Sequence, residues 1–204
     1  APNNIKASAG FDAIAQALES LVSKKSNQES VAFAEKSLRV SIPSYISFLN
    51  NPNLKNATEM SVASNLAGKA ISISKTTVPH ATSYPFTSLF NISHGHAVSL
   101  FFEKFFKFNY ENLNKSATSF DLNKRFDLIF NLFDVSNINE FSSKISLLKK
   151  QANLEDDLLK LNIDIRKSSD NIIKGINLLR LGNNPVNIDS KDIYKIMMET
   201  KLRN

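Results

Sequence analysis

The chain has 204 residues, with 25 Lys and Arg against 19 Asp and Glu, and a net charge of +6. A composition 42% hydrophobic and 22% charged belongs to a folded chain and argues against disorder. The lack of cysteine excludes disulfides, thiolate metal sites and cysteine nucleophiles. No apolar run reaches the roughly 20 residues that cross a bilayer as a helix.

Apolar residues recur at helical spacing from the start, at Phe11, Ile14, Leu18, Leu21 and Val22. A second helix is expected from about Gln28 to Leu49, with Pro43 kinking or dividing it. Asn56 or Thr58 is the expected cap of a third, through Met60, Val62, Leu66 and Ala70. Pro79 opens a short helix with His80, Ala81 and Tyr84, and a loop over Phe90-Asn91-Ile92-Ser93 leads to a helix starting at His94. That helix carries Val98, Leu100, Phe101, Phe102, Phe105, Phe106 and Phe108, apolar almost all round, and is expected to be a central buried element. Helical patterns follow at Phe126, Ile129, Phe130 and Phe133, then Phe141, Ile145 and Leu148, then Ile172, Ile173, Ile176 and Leu179. Asn183-Asn184-Pro185 breaks the chain, and Asp189 or Ser190 caps a last helix through Ile193, Ile196 and Met197. The five glycines stand alone, and the hairpin pairs Asn-Gly and Asp-Gly never occur. The reading is one all-α, single helical domain over residues 1–204.

All three histidines, His80, His94 and His96, fall in one short window. Each alone reads as a structural or surface histidine, whereas their clustering points to a metal or acid/base site. Gly95, between two histidines, marks a place where the backbone must come close to something. A metal held by imidazoles also calls for a hard anion, and the candidate is Asp12. Asp12 and Gln16 lie four apart on one helix face edged by Ala13 and Ala15. On spacing alone Asp12 also reads as a first-turn acid placed by the helix dipole. The lysines are scattered, as at Lys24-Lys25, Lys149-Lys150 and Lys191, without interleaved aromatics. They read as a solvated surface, with neither nucleic acid nor membrane as partner.

Together these stretches resemble the iron-containing (group III) alcohol dehydrogenases. The residues that carry the likeness are Gly68-Lys69-Ala70-Ile71 through Pro79-His80-Ala81, then Ile92-Ser93-His94-Gly95-His96-Ala97. His80 and His94 have the fourteen-residue separation of two family histidines. Gly10-Phe11-Asp12-Ala13-Ile14-Ala15-Gln16-Ala17-Leu18-Glu19 matches an upstream family helix, except that Gln16 replaces its histidine. Asn184-Pro185-Val186 before a capped helix looks like the family's close. The likeness is dense in the first hundred residues and thinner from about 110 to 180.

The resemblance implies the helical carboxy-terminal domain of a two-domain enzyme, the fold shared with dehydroquinate synthase. Asp12, His80 and His94 match metal ligands, Gln16 stands at the fourth position, and the metal is Fe2+ or Zn2+. His96, Tyr84 and Lys75 would shape the catalytic pocket. The pattern of Gln16, Ser74-Lys75-Thr76-Thr77 and His94-Gly95-His96 looks most like the branch that includes phosphonoacetaldehyde reductases. There Lys75 and its hydroxyl neighbours suit an anionic substrate group, although Lys75 equally reads as a surface lysine at a helix end and the two threonines as cap residues. NAD(P) would bind to an amino-terminal domain absent from this chain, which holds no glycine-rich phosphate loop and lacks an initiator Met. The expected function is hydride transfer between nicotinamide and an alcohol or aldehyde in a cytoplasmic enzyme, with this part alone inactive and a homodimer as a candidate assembly. Two rivals stand beside it, a dehydroquinate synthase-like lyase domain and a metal-free helical interaction module.

Overall fold

A helix can be apolar on all sides only if neighbours surround it, and the first helix has that character. In a computed structural model that describes residues 1–199, α1 (Asn3–Val22) is buried almost continuously from Ala7 onward. Its alanines at 7, 13, 15 and 17 let α2 (Gln28–Asn50), α3 (Leu54–Ser74) and the later α5 come close on different sides. Asn27 caps α2 and Asn53 caps α3, each in a reciprocal box with the residue three further on. Asn53 therefore takes the place expected of Asn56 or Thr58, because Asn56 is the partner whose side chain returns to the cap's own N–H. Pro43 lies inside α2 without dividing it.

The chain then runs through α4 (Val78–Phe90), α5 (His94–Ser99) and α6 (Phe102–Glu111). The phenylalanine-rich run is buried, as its pattern requires, but it forms two helices interrupted at Leu100–Phe101. Two apolar clusters share it. Phe102 and Phe106 join the cluster around α1, whereas Phe101 and Phe105 join one formed with α4 and the carboxy-terminal segments. The Ser99 carbonyl at the end of α5 accepts from the buried Lys149 ammonium at 3.3 Å.

After a short 3-10 turn come α7 (Leu122–Phe133), α8 (Ile138–Gln151), α9 (Ile165–Lys174), α10 (Leu178–Leu181) and α11 (Ser190–Met198). Asp189 caps α11 in a box with Asp192. The pattern ending at Leu179 is broken at Gly175, and Leu179 is 91% exposed rather than part of the core. Among the described residues there is no β-strand, only an isolated bridge between Ser116 and Val186. The chain is all-helical. No helix among the described residues is long and apolar enough to cross a membrane.

Candidate metal centre

The third turn of α1, the first turn of α4 and the first residue of α5 meet at one point. There Asp12, His80 and His94 each aim a ligand-type atom inward, all within 4.8 Å of one another. His80 Nε2 lies 3.1 Å and His94 Nε2 lies 3.9 Å from the same Asp12 oxygen, Oδ1. The two imidazole rings are 5.3 Å apart between centroids. His80 is buried, but the side chains of Asp12 and His94 keep 20% and 41% exposure, so the cluster is open on one side.

Gly95 makes this convergence sterically feasible. A Cβ at that position would sit 2.0 Å from the Ser8 carbonyl oxygen and 2.9 Å from Asp12 Cβ. Only a residue without a side chain lets α5 approach α1 so closely, and that approach carries His94 up to Asp12.

Behind the cluster stands Glu19, fully buried two turns along α1. Its Oε2 accepts from His80 Nδ1, and its Oε1 accepts from the Thr77 backbone at 2.8 Å and hydroxyl at 2.9 Å. The first contact fixes the imidazole with Nε2 facing Asp12. Burial works against a charge on His80, but the Glu19 carboxylate and the hydrogen bonds to Asp12 and Glu19 outweigh it, lifting its pKa to about 9. His94 is displaced the other way. Its burial lowers the pKa against the attraction of Asp12, and the positive charges of His80 and Arg180 lower it further. The α1 motif contains Glu19 but does not by itself mark it as a functional residue. The one available signal was a lone charged residue inside the apolar stretch Ala17-Leu18-Glu19-Ser20-Leu21.

The other residues singled out from the sequence take different places. Gln16 donates from Nε2 to the second Asp12 oxygen at 2.7 Å, so its amide nitrogen steadies the carboxylate. Tyr84 stacks at a tilt on His94, 5.7 Å between ring centroids. His96 lies outside the cluster, since its Nε2 donates to the Glu155 carbonyl at 2.6 Å and ties α5 to the segment after α8. Lys75 is exposed at the end of α3 with φ 62°, and its ammonium turns back to the Ser72 carbonyl at 2.8 Å. Thr76 and Thr77 are buried and engaged by Arg180 and Glu19. They are neither free pocket hydroxyls nor side-chain caps of α4.

A helical domain that gathers one carboxylate and two imidazoles at an open junction, with a buried carboxylate behind one of them, belongs to the class carrying a candidate divalent-metal centre. Residues 6–200 match the family model of the Fe-containing alcohol dehydrogenase family, C-terminal part, and the chain belongs to that family. It is 25% identical over 185 residues to a 4-hydroxybutyrate dehydrogenase of Clostridium kluyveri, covering 89% of this chain and 49% of that protein. In fold it is similar to an archaeal halo-thermophilic alcohol dehydrogenase from a Red Sea brine pool, with TM-score 0.88 and 21% identity over 98% of this chain and 51% of the other. A sulfoacetaldehyde reductase of Bifidobacterium kashiwanohense, solved with NAD+, has TM-score 0.87 and 23% identity over 100% of this chain and 52% of the other. The chain thus spans about half the length of these relatives.

Proposed function

We propose that this chain is the metal- and substrate-binding half of an NAD(P)-linked alcohol dehydrogenase or aldehyde reductase. The observation that carries the reading is the convergence of Asp12, His80 and His94, with Glu19 holding the back of His80. The donor set fits a divalent cation such as Fe2+ or Zn2+, with two neutral-capable imidazoles, one carboxylate and an open side. A cation bound there supplies a Lewis acid for an alcohol or aldehyde oxygen, and NAD(P) on the other half supplies the hydride acceptor or donor.

The chain's own residues do the positioning. Asp12 offers Oδ1 to the centre while Gln16 keeps Oδ2 occupied. Glu19 keeps His80 in the tautomer whose Nε2 can ligate once its proton has left. The lowered pKa of His94 leaves its imidazole neutral near pH 7, ready as a ligand. Tyr84 walls the exposed side next to His94 and offers a hydroxyl to the substrate. The names of two relatives, 4-hydroxybutyrate dehydrogenase and sulfoacetaldehyde reductase, favour a short substrate with an anionic tail.

Metal content after purification without chelator, and again after dialysis against one, tests the reading. His80→Ala and His94→Ala should each abolish metal retention, whereas Gln16→Ala should weaken it only modestly. A wild-type chain that takes up no divalent metal would leave the helical interaction module as the better account. NAD(P) should bind to these 204 residues only weakly, and tight binding would overturn the division of labour between two halves.

A further inference from the structure

No pattern in the sequence marks Arg180, yet the fold brings it onto Tyr84, the ring that neighbours His94. Its guanidinium lies over the Tyr84 ring, 5.5 Å from the centroid, and Tyr84 in turn lies 5.7 Å from His94. These two contacts in series link the guanidinium, through the Tyr84 ring, to His94 of the cluster. One of its five N–H donors goes to the Thr76 hydroxyl, and among the described residues it forms no ion pair. Its segment is tied down on both sides. The Asn177 N–H donates to the Ala81 carbonyl at 3.1 Å, and Asn183 Nδ2 donates to the carbonyls of Ser74 at 3.0 Å and Thr76 at 3.2 Å.

A half-buried guanidinium without a carboxylate partner is costly to hold unless a ligand supplies the anion. Its planar fork suits two oxygens of a carboxylate, sulfonate or phosphonate. Lys75, the cation that the sequence pattern offers for this role, is turned towards its own helix end. We propose that Arg180 is the anion receptor of the site. It grips the charged tail of a short substrate whose alcohol or aldehyde end lies at Asp12, His80 and His94. This assignment rests on the metal-centre reading for the position of the second end, and on Arg180's own surroundings for the first.

The test is calorimetric titration of the Zn2+-loaded chain with 4-hydroxybutanoate and with its uncharged counterpart 1,4-butanediol. The acid should bind at least about tenfold more tightly. Arg180→Gln should erase that preference in protein saturated with Zn2+ while leaving diol binding unchanged, Arg180→Lys should restore only part of it, and Lys75→Gln should have no effect. An unchanged preference in Arg180→Gln overturns the proposal, as does a wild-type protein that holds Zn2+ but favours neither compound. Failure of the metal reading is seen separately, as a chain that does not take up Zn2+. In that metal-free protein, butanoate should still shift the Arg180 side-chain N–H resonance more than chloride at equal ionic strength. Equal shifts with the two anions would refute the receptor role.

Discussion

Replacing Gly95 by alanine should unseat His94 while leaving the chain folded. The added methyl would lie 2.0 Å from the Ser8 carbonyl oxygen, 2.8 Å from its carbon and 2.9 Å from Asp12 Cβ. Ordinary carbon–oxygen contacts need about 3.3–3.6 Å, so α5 has to retreat by more than about 1 Å. The obstacle is main chain of α1 and cannot rotate aside, which puts the cost near the upper end of the about 1–3 kcal/mol typical of overpacking. Set against a typical total stability of about 5–15 kcal/mol, that leaves a folded protein. At about 2–4 °C per kcal/mol for a chain of this size, melting should fall by roughly 5–10 °C. Ligand distances tolerate only about 0.2 Å, so the same retreat takes His94 out of reach of the site. The measurable result is helical circular dichroism close to wild type, with a loss in Zn2+ or Co2+ affinity at least as large as the about 10–100-fold given by outer-shell changes. Gly68→Ala on α3 is the control, because nothing lies within 4 Å of its would-be Cβ, and it should melt at or slightly above the wild-type temperature. A Gly95→Ala protein that binds metal and melts like wild type would refute the reasoning.

Glu19→Gln keeps the shape of the side chain but removes the charge that holds His80 Nδ1. Metal affinity measured by competition with a chromophoric chelator should drop about 10–100-fold, with the fold retained. In the metal-free protein, His80 has a folded pKa of about 9 against 6.5 when unfolded, so its stabilising contribution is fully present below pH 6.5 and is lost as pH rises through 9. Denaturant midpoints of the metal-free chain should therefore fall across that window, and metal uptake at pH 7–8 should release a proton from His80, visible as a buffer-dependent heat. Lys149 is buried at 1% exposure, donating to Glu103 at 2.9 and 3.0 Å and pairing with Asp156 at 2.9 Å. Lys149→Met strands the buried Glu103 and should cost about 3–5 kcal/mol in equilibrium unfolding. Asp156→Asn, at a half-exposed partner, should cost under about 1 kcal/mol.

The helices were legible in the sequence because their causes are local. Apolar spacing along α1, the Pro79 start of α4, the Asp189 cap of α11 and the scarcity of glycine all act within a turn or two of the chain. The spacing of His80 and His94, together with the α1 motif, groups Asp12 with both histidines in the sequence, and the fold draws those three side chains together. What periodicity could not contain was the direction each polar side chain takes once helices pack. Glu19 reaches His80 across 61 residues, and Arg180 reaches Thr76 across 104. Lys75 turns back on its own helix and His96 turns to Glu155, although both stand beside cluster residues in sequence. The division of the phenylalanine run into α5 and α6 has the same origin, because two apolar clusters compete for alternate faces of one stretch. Local pattern settles whether a segment coils, since each backbone hydrogen bond closes over four residues. Which group meets which is settled by packing, since close-packed helices leave each buried polar atom few partners and those come from distant parts of the chain.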